Sequence, residues 1–481
     1  MTTSLGHRAL GGAGATVLWQ AVRLGLLALS ILILARLLSP ADYGLLAMVT
    51  AIIGIGELFR DLGLSVAAVQ SKTLSSAEKS NLFWVNTGIG ALLTVLAFVA
   101  SWPISTLFGQ PELVPITQAL SITFLLNGLA TQFKAQMTRE LRFMALGIAE
   151  TVPQALGLVV AIWIGLNVGD FRALVGQALT VAVVALVMDV ALARWRPGLV
   201  DRSTSIRRFV KFGGSLTGTQ SLAYVSKNID TVLLGLVFGA TQLGFYNRAY
   251  QLVVLPLTQL TAPLSRVAIP VLSKLQDDEP NFLRYLRSGQ FFTVAISSLF
   301  YGSLVGLATP FVTVALGTPW LPVVPILQGL AISGIFRAMG QVPYWIFVSK
   351  GLAGAQFRFY LWAQPLVVVS IVVGLFWGPL GVAIGCSVGY VLFWFLQMWW
   401  SGRVASMNTV PLILSGLLLA SLITVPTASI GLLISWLVPA PGLALILGGV
   451  LALGFVSAIV IVVPRYRKHV STVVRLIRKR T

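Results

Sequence analysis

Residues 34–44, LARLLSPADYG, indicate how the chain is organised, because they end one apolar segment and begin the next. The Ser-Pro pair is typical of a short turn, with stretches on either side apolar enough to cross a membrane. Residues 234–244, LGLVFGATQLG, have the same arrangement at a shift of 200. Two copies of one membrane corner predict two related halves.

Further matches follow in the same order. Ser71-Lys72 corresponds to Ser273-Lys274, and ALVG at 173–176 corresponds to VAIG at 382–385. We therefore predict an N-terminal six-helix lobe at 1–200, a C-terminal six-helix lobe at 201–400, two additional transmembrane helices at 401–463 and a basic cytoplasmic tail at 464–481. Six spans return the chain to the same side, so the repeats are predicted to be related by a pseudo-twofold axis along the membrane normal, with substrate carried between them by alternating access.

The composition is typical of an all-α polytopic membrane protein. Of 481 residues, 57% are hydrophobic and 10% are charged, whereas a soluble domain carries about 25% charged residues. A single cysteine, Cys386, excludes a disulfide framework or a cysteine metal site. The two histidines, His7 and His469, lie near the termini. We expect no catalytic residue, metal site or cofactor.

Apolar runs of about 20 residues predict fourteen spans. They lie near 14–38, 44–67, 80–102, 113–136, 146–166, 171–193, 213–237, 244–271, 290–315, 322–349, 359–377, 379–400, 410–437 and 441–463. Of the 33 basic residues, 24 fall in the even-numbered connections and the termini, one in the odd-numbered connections and eight inside spans. The positive-inside rule then predicts that both termini are cytoplasmic.

The net charge of +19 does not indicate nucleic-acid binding. Most of the excess is explained by this topology and by contact with anionic membrane lipids. The tail after residue 464 fits a basic helix on the inner leaflet.

Eight basic side chains within the spans are the main indication of function. A cation at membrane depth costs roughly 2.5–3.5 kcal/mol on insertion scales, so it usually faces a bundle interior or a watery cavity. A cavity lined by cations suggests a negatively charged substrate. The eight residues are Arg23, Arg36, Arg60, Lys134, Lys227, Arg248, Arg266 and Arg337.

Two of the cations have acids on their own spans. Arg60 lies between Glu57 and Asp61, at spacings that allow it to pair with both. Lys227 shares a helix face with Asp230. The first set is interpreted either as a structural ion pair or as a gate or ion-coupling site. For the second set the alternatives are local charge neutralisation, or Lys227 binding an anionic headgroup with Asp230 as a partner sensitive to H⁺ or Na⁺.

The remaining cations divide by position. Arg23 and Arg337 have no acid within one turn, so each needs a partner elsewhere, water or the substrate. Arg36, Lys134, Arg248 and Arg266 lie nearer span ends, where reaching the interface is the default, with a cavity role as the alternative. Glu150 is an isolated acid and a further candidate for ion coupling. Additional candidate substrate-binding residues are Tyr224, Asn228 and Tyr344.

Several motifs resemble one family. ARLLSPADYG at 35–44 is similar to a signature of bacterial Wzx-type polysaccharide exporters, and NID at 228–230 and LGFYNRAY at 243–250 resemble landmarks in their second lobe. The match is closest to the colanic-acid and exopolysaccharide branch of the multidrug/oligosaccharidyl-lipid/polysaccharide (MOP) superfamily. The resemblance implies a flippase for undecaprenyl-diphosphate-linked oligosaccharide in the bacterial inner membrane, working with polymerase or export machinery.

Two other classes fit less well. A multidrug antiporter of the same superfamily would favour acids over cations in its cavity; uptake of a fluorescent cation into vesicles would distinguish it. A membrane glycosyltransferase, polymerase or ligase would need catalytic acids or a histidine on sizeable outer loops. The outer connections are short and hold no histidine.

Overall fold

A computed structural model describes the backbone of residues 2–71, 73–464 and 466–467. Side chains are described for residues 18–71, 73–210, 224, 228–464 and 466–467. Lys72, the side chain of Lys227 and most of the predicted basic tail therefore lie outside the described residues.

The chain is all-α over the described residues. The helices are α1 (Thr2–Leu37), α2 (Pro40–Asp61), α3 (Leu64–Gln70), α4 (Ser76–Phe108), α5 (Leu113–Arg139), α6 (Phe143–Asn167), α7 (Arg172–Ala193), α8 (Arg207–Lys274), α9 (Glu279–Gly306), α10 (Ala308–Ala315), α11 (Val323–Met339), α12 (Gln341–Ser349), α13 (Ala353–Gly374), α14 (Gly378–Val404), α15 (Val410–Leu437) and α16 (Pro441–Val462), with short 3₁₀ turns at Thr318–Trp320 and Leu375–Trp377.

Eleven helical segments of the described chain are long and apolar enough to cross a membrane. Exposed side chains of α4 show why such segments need lipid: Leu92, Val95, Leu96 and Val99 recur at helical spacing on one face, and each is more than half exposed. The chain is therefore a multi-pass membrane protein.

Two compact units make up the chain, Met1–Gly244 and Phe245–Thr481. In the first unit, α4 packs on α5, α6 on α7, and α1 on α6. In the second, α13 packs on α14, α9 on α15, and α11 on α14. The lobe boundary predicted near residue 200 is a different division of the chain and stays a prediction.

The corner at residues 34–44 forms as a helix end followed by a capped helix start. Ser39 caps α2 by accepting from Asp42 N, and the Asp42 carboxylate accepts from Ser39 N at 2.8 Å. This reciprocal capping satisfies two otherwise unpaired backbone donors. It starts α2 at Pro40, four residues before the predicted span.

The predicted second span is also interrupted. Leu62 (φ 44°) and Gly63 (φ 63°) adopt left-handed backbone conformations and divide α2 from α3. The Asp61 side chain accepts from Ser65 N at 3.1 Å and caps the first turn of α3. The segment is thus a broken helix, and its charged residues lie beside the break.

The second copy of the corner lies inside α8. Gly239 has φ 75° and ψ −176°, a conformation that is open essentially to glycine alone, and it separates the two helical parts of α8. Gly378 has nearly the same backbone angles at the start of α14.

Glycines let the two corners meet within the first unit. A Cβ on Gly44 would overlap the carbonyl oxygen of Ala240, and a Cβ on Gly244 would overlap the carbonyl oxygen of Pro40. The shift of 200 found in the sequence aligns Gly44 with Gly244 and Pro40 with Ala240, so the two contacts are equivalent. Only glycine permits both approaches.

Residues 194–206, which link α7 to α8, are fixed to the start of α4. Asn81 Nδ2 donates to the carbonyl oxygens of Asp201 (2.7 Å) and Thr204 (3.0 Å), and Asp201 N donates to Asn81 Oδ1 at 2.9 Å. Hydrogen bonds from Ser203 and Thr204 hold the pKa of the Asp201 carboxyl below its usual range.

We expect the order of this linker to depend on the ionised Asp201. Because the folded-state pKa is lowered, its stabilising effect is present above the ordinary aspartate pKa and is lost as pH falls through the lowered value. Asp201→Asn should therefore speed amide hydrogen exchange in residues 196–206 at neutral pH. Asp278→Asn, a matched change at a carboxylate that accepts from Asn281, should leave that segment unchanged; equal exchange in both variants would contradict the prediction.

Candidate functional site

The charged group on α2 forms a compact network with α5. Arg60 Nε donates to Glu57 at 2.7 Å, and its Nη1 donates to the carbonyl oxygen of Asn127 at 3.0 Å and to the Thr131 hydroxyl. Asn127 Nδ2 in turn donates to Glu57 at 3.1 Å. The predicted pairing of Arg60 with Glu57 is confirmed.

The pairing of Arg60 with Asp61 is wrong. Adjacent positions on a helix point about 100° apart, and Asp61 turns to the backbone N and hydroxyl of Ser65 on α3. The Arg60 guanidinium is thus held by a partly exposed Glu57 and by α5.

Arg23 finds its acid on another helix. Its Nη1 lies 2.5 Å from Glu150 Oε2 on α6, and both side chains are roughly half exposed. The sequence singled out both residues but did not bring them together, because they are 127 positions apart. The pair neutralises two charges that are each isolated on their own helix.

Asp189 is the acid that sequence reasoning missed. It lies on α7, inside the predicted sixth span, and its side chain is 0% exposed. Lys134 Nζ on α5 lies 3.8 Å from Asp189 Oδ2. The prediction that Lys134 reaches the membrane interface left out this neighbour, because a buried carboxylate lies beside its ammonium group. The signal was available: an aspartate within an apolar run is a candidate functional residue by itself.

Polar side chains of α8 donate hydrogen bonds to the backbone of α2 and to that of their own helix. The Tyr224 hydroxyl donates to the carbonyl oxygen of Thr50 at 2.9 Å, and Asn228 Nδ2 donates to the carbonyl oxygen of Tyr224 at 2.9 Å. Asp230 is buried and accepts from Thr231 N at 2.8 Å. The predicted Lys227–Asp230 pair lies outside the described side chains.

The second unit has a different charge pattern. Its only acids are Asp277, Asp278 and Glu279, which lie at or next to the connection between α8 and α9. The helices that follow residue 245 therefore carry Arg248, Arg266 and Arg337 with no acid inside a span. The predicted absence of a carboxylate near Arg337 on its own helix thus extends to the membrane interior of this whole unit.

Arg337 is held by aromatic rings. Its guanidinium carbon lies 4.7 Å from the ring centre of Tyr390 and 5.6 Å from that of Tyr250, and Nη1 donates to the Tyr250 hydroxyl at 3.4 Å. Such contacts stabilise a cation but use few of its five N–H donors. The remaining donors make no other hydrogen bond within the described part of the chain, so they can serve a bidentate anion such as phosphate.

The expectation that Arg248 reaches the membrane interface is wrong. It does not reach an interface, because it is only 6% exposed; it donates to Gln251 Oε1 at 2.6 Å and lies 5.9 Å from the ring centre of Trp320. Arg36 and Arg266 are exposed, as expected for residues near span ends, and Tyr344 is partly buried. No group of three His, Cys, Asp or Glu side chains that could hold a metal occurs among the described residues.

Comparisons with known proteins agree with this picture. A family model described as polysaccharide biosynthesis protein matches residues 33–325. The lipopolysaccharide biosynthesis protein WzxC of Escherichia coli (strain K12) is 28% identical over 81% of this chain and 79% of its own length. The succinoglycan biosynthesis transport protein ExoT of Rhizobium meliloti (strain 1021) is 24% identical over 70% of this chain and 69% of its own length.

The fold is also known from a solved structure. The lipid II flippase MurJ, in an inward closed conformation, matches with a TM-score of 0.73 and 13% sequence identity, covering 92% of this chain and 99% of that protein. At this identity the likeness shows a shared fold. The chain therefore belongs to the polysaccharide biosynthesis protein family of Wzx-type transporters, which is not a family of enzymes, and it shares the fold of the lipid II flippase MurJ.

Proposed function

We propose that the chain is a flippase for undecaprenyl-diphosphate-linked oligosaccharide in the bacterial inner membrane, supplying exopolysaccharide or lipopolysaccharide synthesis by ion-coupled alternating access. The observation that carries the proposal is Arg337, a guanidinium held by two tyrosine rings in a unit whose spans contain no acid. An arginine in this setting favours a diphosphate or an acidic sugar. The buried Arg248 adds a second cation to the same unit.

The proposed topology has fourteen crossings, with both termini cytoplasmic. The helix α8 (68 residues) and the helical segment 353–404 are each long enough for two crossings, and they are divided at Gly239 and Gly378. The broken α2–α3 segment supplies one more. The distribution of basic residues among the connections supports the orientation.

The charge pattern also bears on the multidrug antiporter alternative. A cation-binding cavity needs carboxylates. In the first unit Glu57 and Glu150 are paired with arginines, Asp61 accepts from Ser65, and Asp189 lies 3.8 Å from Lys134. The membrane interior of the second unit has no carboxylate at all. Both facts favour an anionic substrate.

A deletion strain tests the proposal directly. Without this chain, the strain is expected to lose its polymer and to accumulate lipid-linked repeat units that an externally added glycosidase cannot reach in intact spheroplasts. Restoring the chain should reverse both effects. Normal polymer in the deletion strain, or trapped intermediates that stay accessible from outside, would refute the function; uptake of a fluorescent cation into vesicles would favour the antiporter.

A further inference from the structure

Four charged residues of the first unit form a cluster that the proposed function does not yet use. Arg23 on α1 pairs with Glu150 on α6 at 2.5 Å, and Lys134 on α5 lies 3.8 Å from Asp189 on α7. Glu150 is also close enough to Asp189 to act on it electrostatically. We call these residues the four-charge cluster; when all four are ionised its formal charge is zero.

Asp189 differs from every other member of the cluster. Its side chain is 0% exposed, and neither carboxylate oxygen accepts a hydrogen bond from a described residue. By contrast, Glu57 on α2 is bound by both Arg60 and Asn127. A carboxylate that leaves water without gaining hydrogen bonds loses its solvation without replacement, and a cation at 3.8 Å offsets only part of that loss.

Few other charges lie around Asp189. Phe133, Met137, Ala149 and Ala193 form an apolar cluster on the same three helices, α5, α6 and α7. From α5 the facing charge is Lys134, and from α6 it is Glu150, itself held by Arg23.

Other nearby charges are already engaged. Arg142, at the start of α6, donates to the carbonyl oxygen of Leu192 at 2.6 Å. On α2, which also touches α7, Glu57 binds Arg60, and Asp61 binds Ser65. Lys134 is therefore the cation on which the ionised form of Asp189 depends.

Lys134 can exchange partners, whereas Asp189 cannot. The Lys134 side chain is 41% exposed, and its ammonium group makes no hydrogen bond within the described part of the chain. An ammonium is a mobile point charge with three donors, so it can turn from a carboxylate to a phosphate. The buried Asp189 has no route to a second cation among the described residues.

We propose that Lys134 and Asp189 form a proton-linked anion site, in which Lys134 leaves Asp189 for a phosphate group and Asp189 takes up a proton from water. One O–H bond forms on the Asp189 carboxyl as one O–H bond of a hydronium ion in the solvent breaks. With Asp189 protonated, the four-charge cluster carries one positive charge, which attracts the anion. The anion and the proton therefore strengthen each other's binding, and the linkage is reciprocal.

This inference rests on the proposed function in one respect: the phosphate groups are taken to be those of a lipid-linked diphosphate. Free phosphate compounds have the same chemistry, so two probes separate the sources. Inorganic pyrophosphate carries the charge alone, and farnesyl diphosphate adds an isoprenoid chain. Tighter binding of farnesyl diphosphate identifies the lipid-linked source, and equal binding identifies a free anion.

The test is isothermal titration calorimetry of the purified full-length protein with each of the two probes. Titrations in two buffers with different ionisation enthalpies give the number of protons taken up per anion bound. Wild-type protein is expected to take up one proton for each anion bound at this site, and its affinity should fall by up to about tenfold per pH unit as pH rises. Asp189→Asn should bind without proton uptake and with no pH slope. Lys134→Gln should lose the pH-linked binding, while Arg142→Lys, a matched change at a neighbouring cation, should keep it.

Wild-type binding without proton uptake would overturn the proposal, and so would undiminished uptake in Asp189→Asn. If Asp189→Asn does not fold, the double variant Asp189→Asn/Lys134→Gln removes both charges together and should show no uptake. Failure of the proposed function has a separate signature, since it is read from polymer and trapped repeat units in the deletion strain. If no proton is taken up on anion binding, the polymer and repeat-unit measurements still test the proposed function independently.

Discussion

Replacing Arg337 by glutamine is expected to abolish polymer export while the protein still inserts and folds. Glutamine keeps much of the length of the side chain but removes the charge and the fork of N–H donors that bind an anion. Losing one partner of a desolvated charge pair costs about 2–5 kcal/mol, which is a fall in affinity of at least about thirtyfold. The folded protein loses little, because Arg337 contacts two tyrosines and no acid.

The measurement is polymer secreted by a deletion strain that expresses each variant at matched membrane levels. Arg403→Gln is the control, because Arg403 also lies over an aromatic ring, at 5.7 Å from Trp399, but in the last turn of α14. It should support normal export. Arg337→Lys should be intermediate, since it keeps the charge and loses the planar fork. Full export by Arg337→Gln would defeat the site assignment.

Replacing Gly44 by alanine is expected to destabilise the protein strongly. The new Cβ would overlap the carbonyl oxygen of Ala240, and backbone on both sides leaves no flexible side chain to move away. Overpacking of this kind costs about 1–3 kcal/mol, and a clash with backbone belongs at the upper end of that range or above it. Gly244→Ala should act in the same way, through the carbonyl oxygen of Pro40.

Gly88→Ala is the matched control, because Gly88 is also helical and a Cβ there would meet nothing within 4 Å. Alanine has the better helix propensity, so this change should be neutral or stabilise by up to about 1 kcal/mol. The midpoint of thermal unfolding in detergent, followed by tryptophan fluorescence, should therefore fall for Gly44→Ala and stay the same or rise for Gly88→Ala. Equal midpoints would show that the corners do not constrain the fold.

Local relationships could be predicted from the sequence, because spacing along a helix fixes which side chains meet. Glu57 and Arg60 are three residues apart, and they pair. Composition alone indicates the membrane class, and the shift of 200 aligns Gly44 with Gly244 in the sequence. Helix spacing did not predict the partner of Asp61, because the helix breaks at Leu62 and the Asp61 side chain accepts from Ser65 on the next helix.

Relationships between distant helices could not be predicted. Arg23 and Glu150 had no visible connection, since helix spacing says nothing about which faces pack. The pairing of Lys134 with Asp189 has the same origin, although the acid was also missed as an isolated residue. The aromatic rings around Arg337 come from α8 and α14, and no pattern in the sequence joins Tyr250 to Tyr390.

The glycine contacts at the two corners have the symmetry of a dimer interface. Residue 44 meets residue 240, and residue 244 meets residue 40, so each half of the motif gives and receives the same contact. This is the pattern of an isologous interface, the kind that two identical subunits form across a twofold axis. Within one polypeptide the two glycine positions are separate, so a mutation at one of them has no identical counterpart that changes with it.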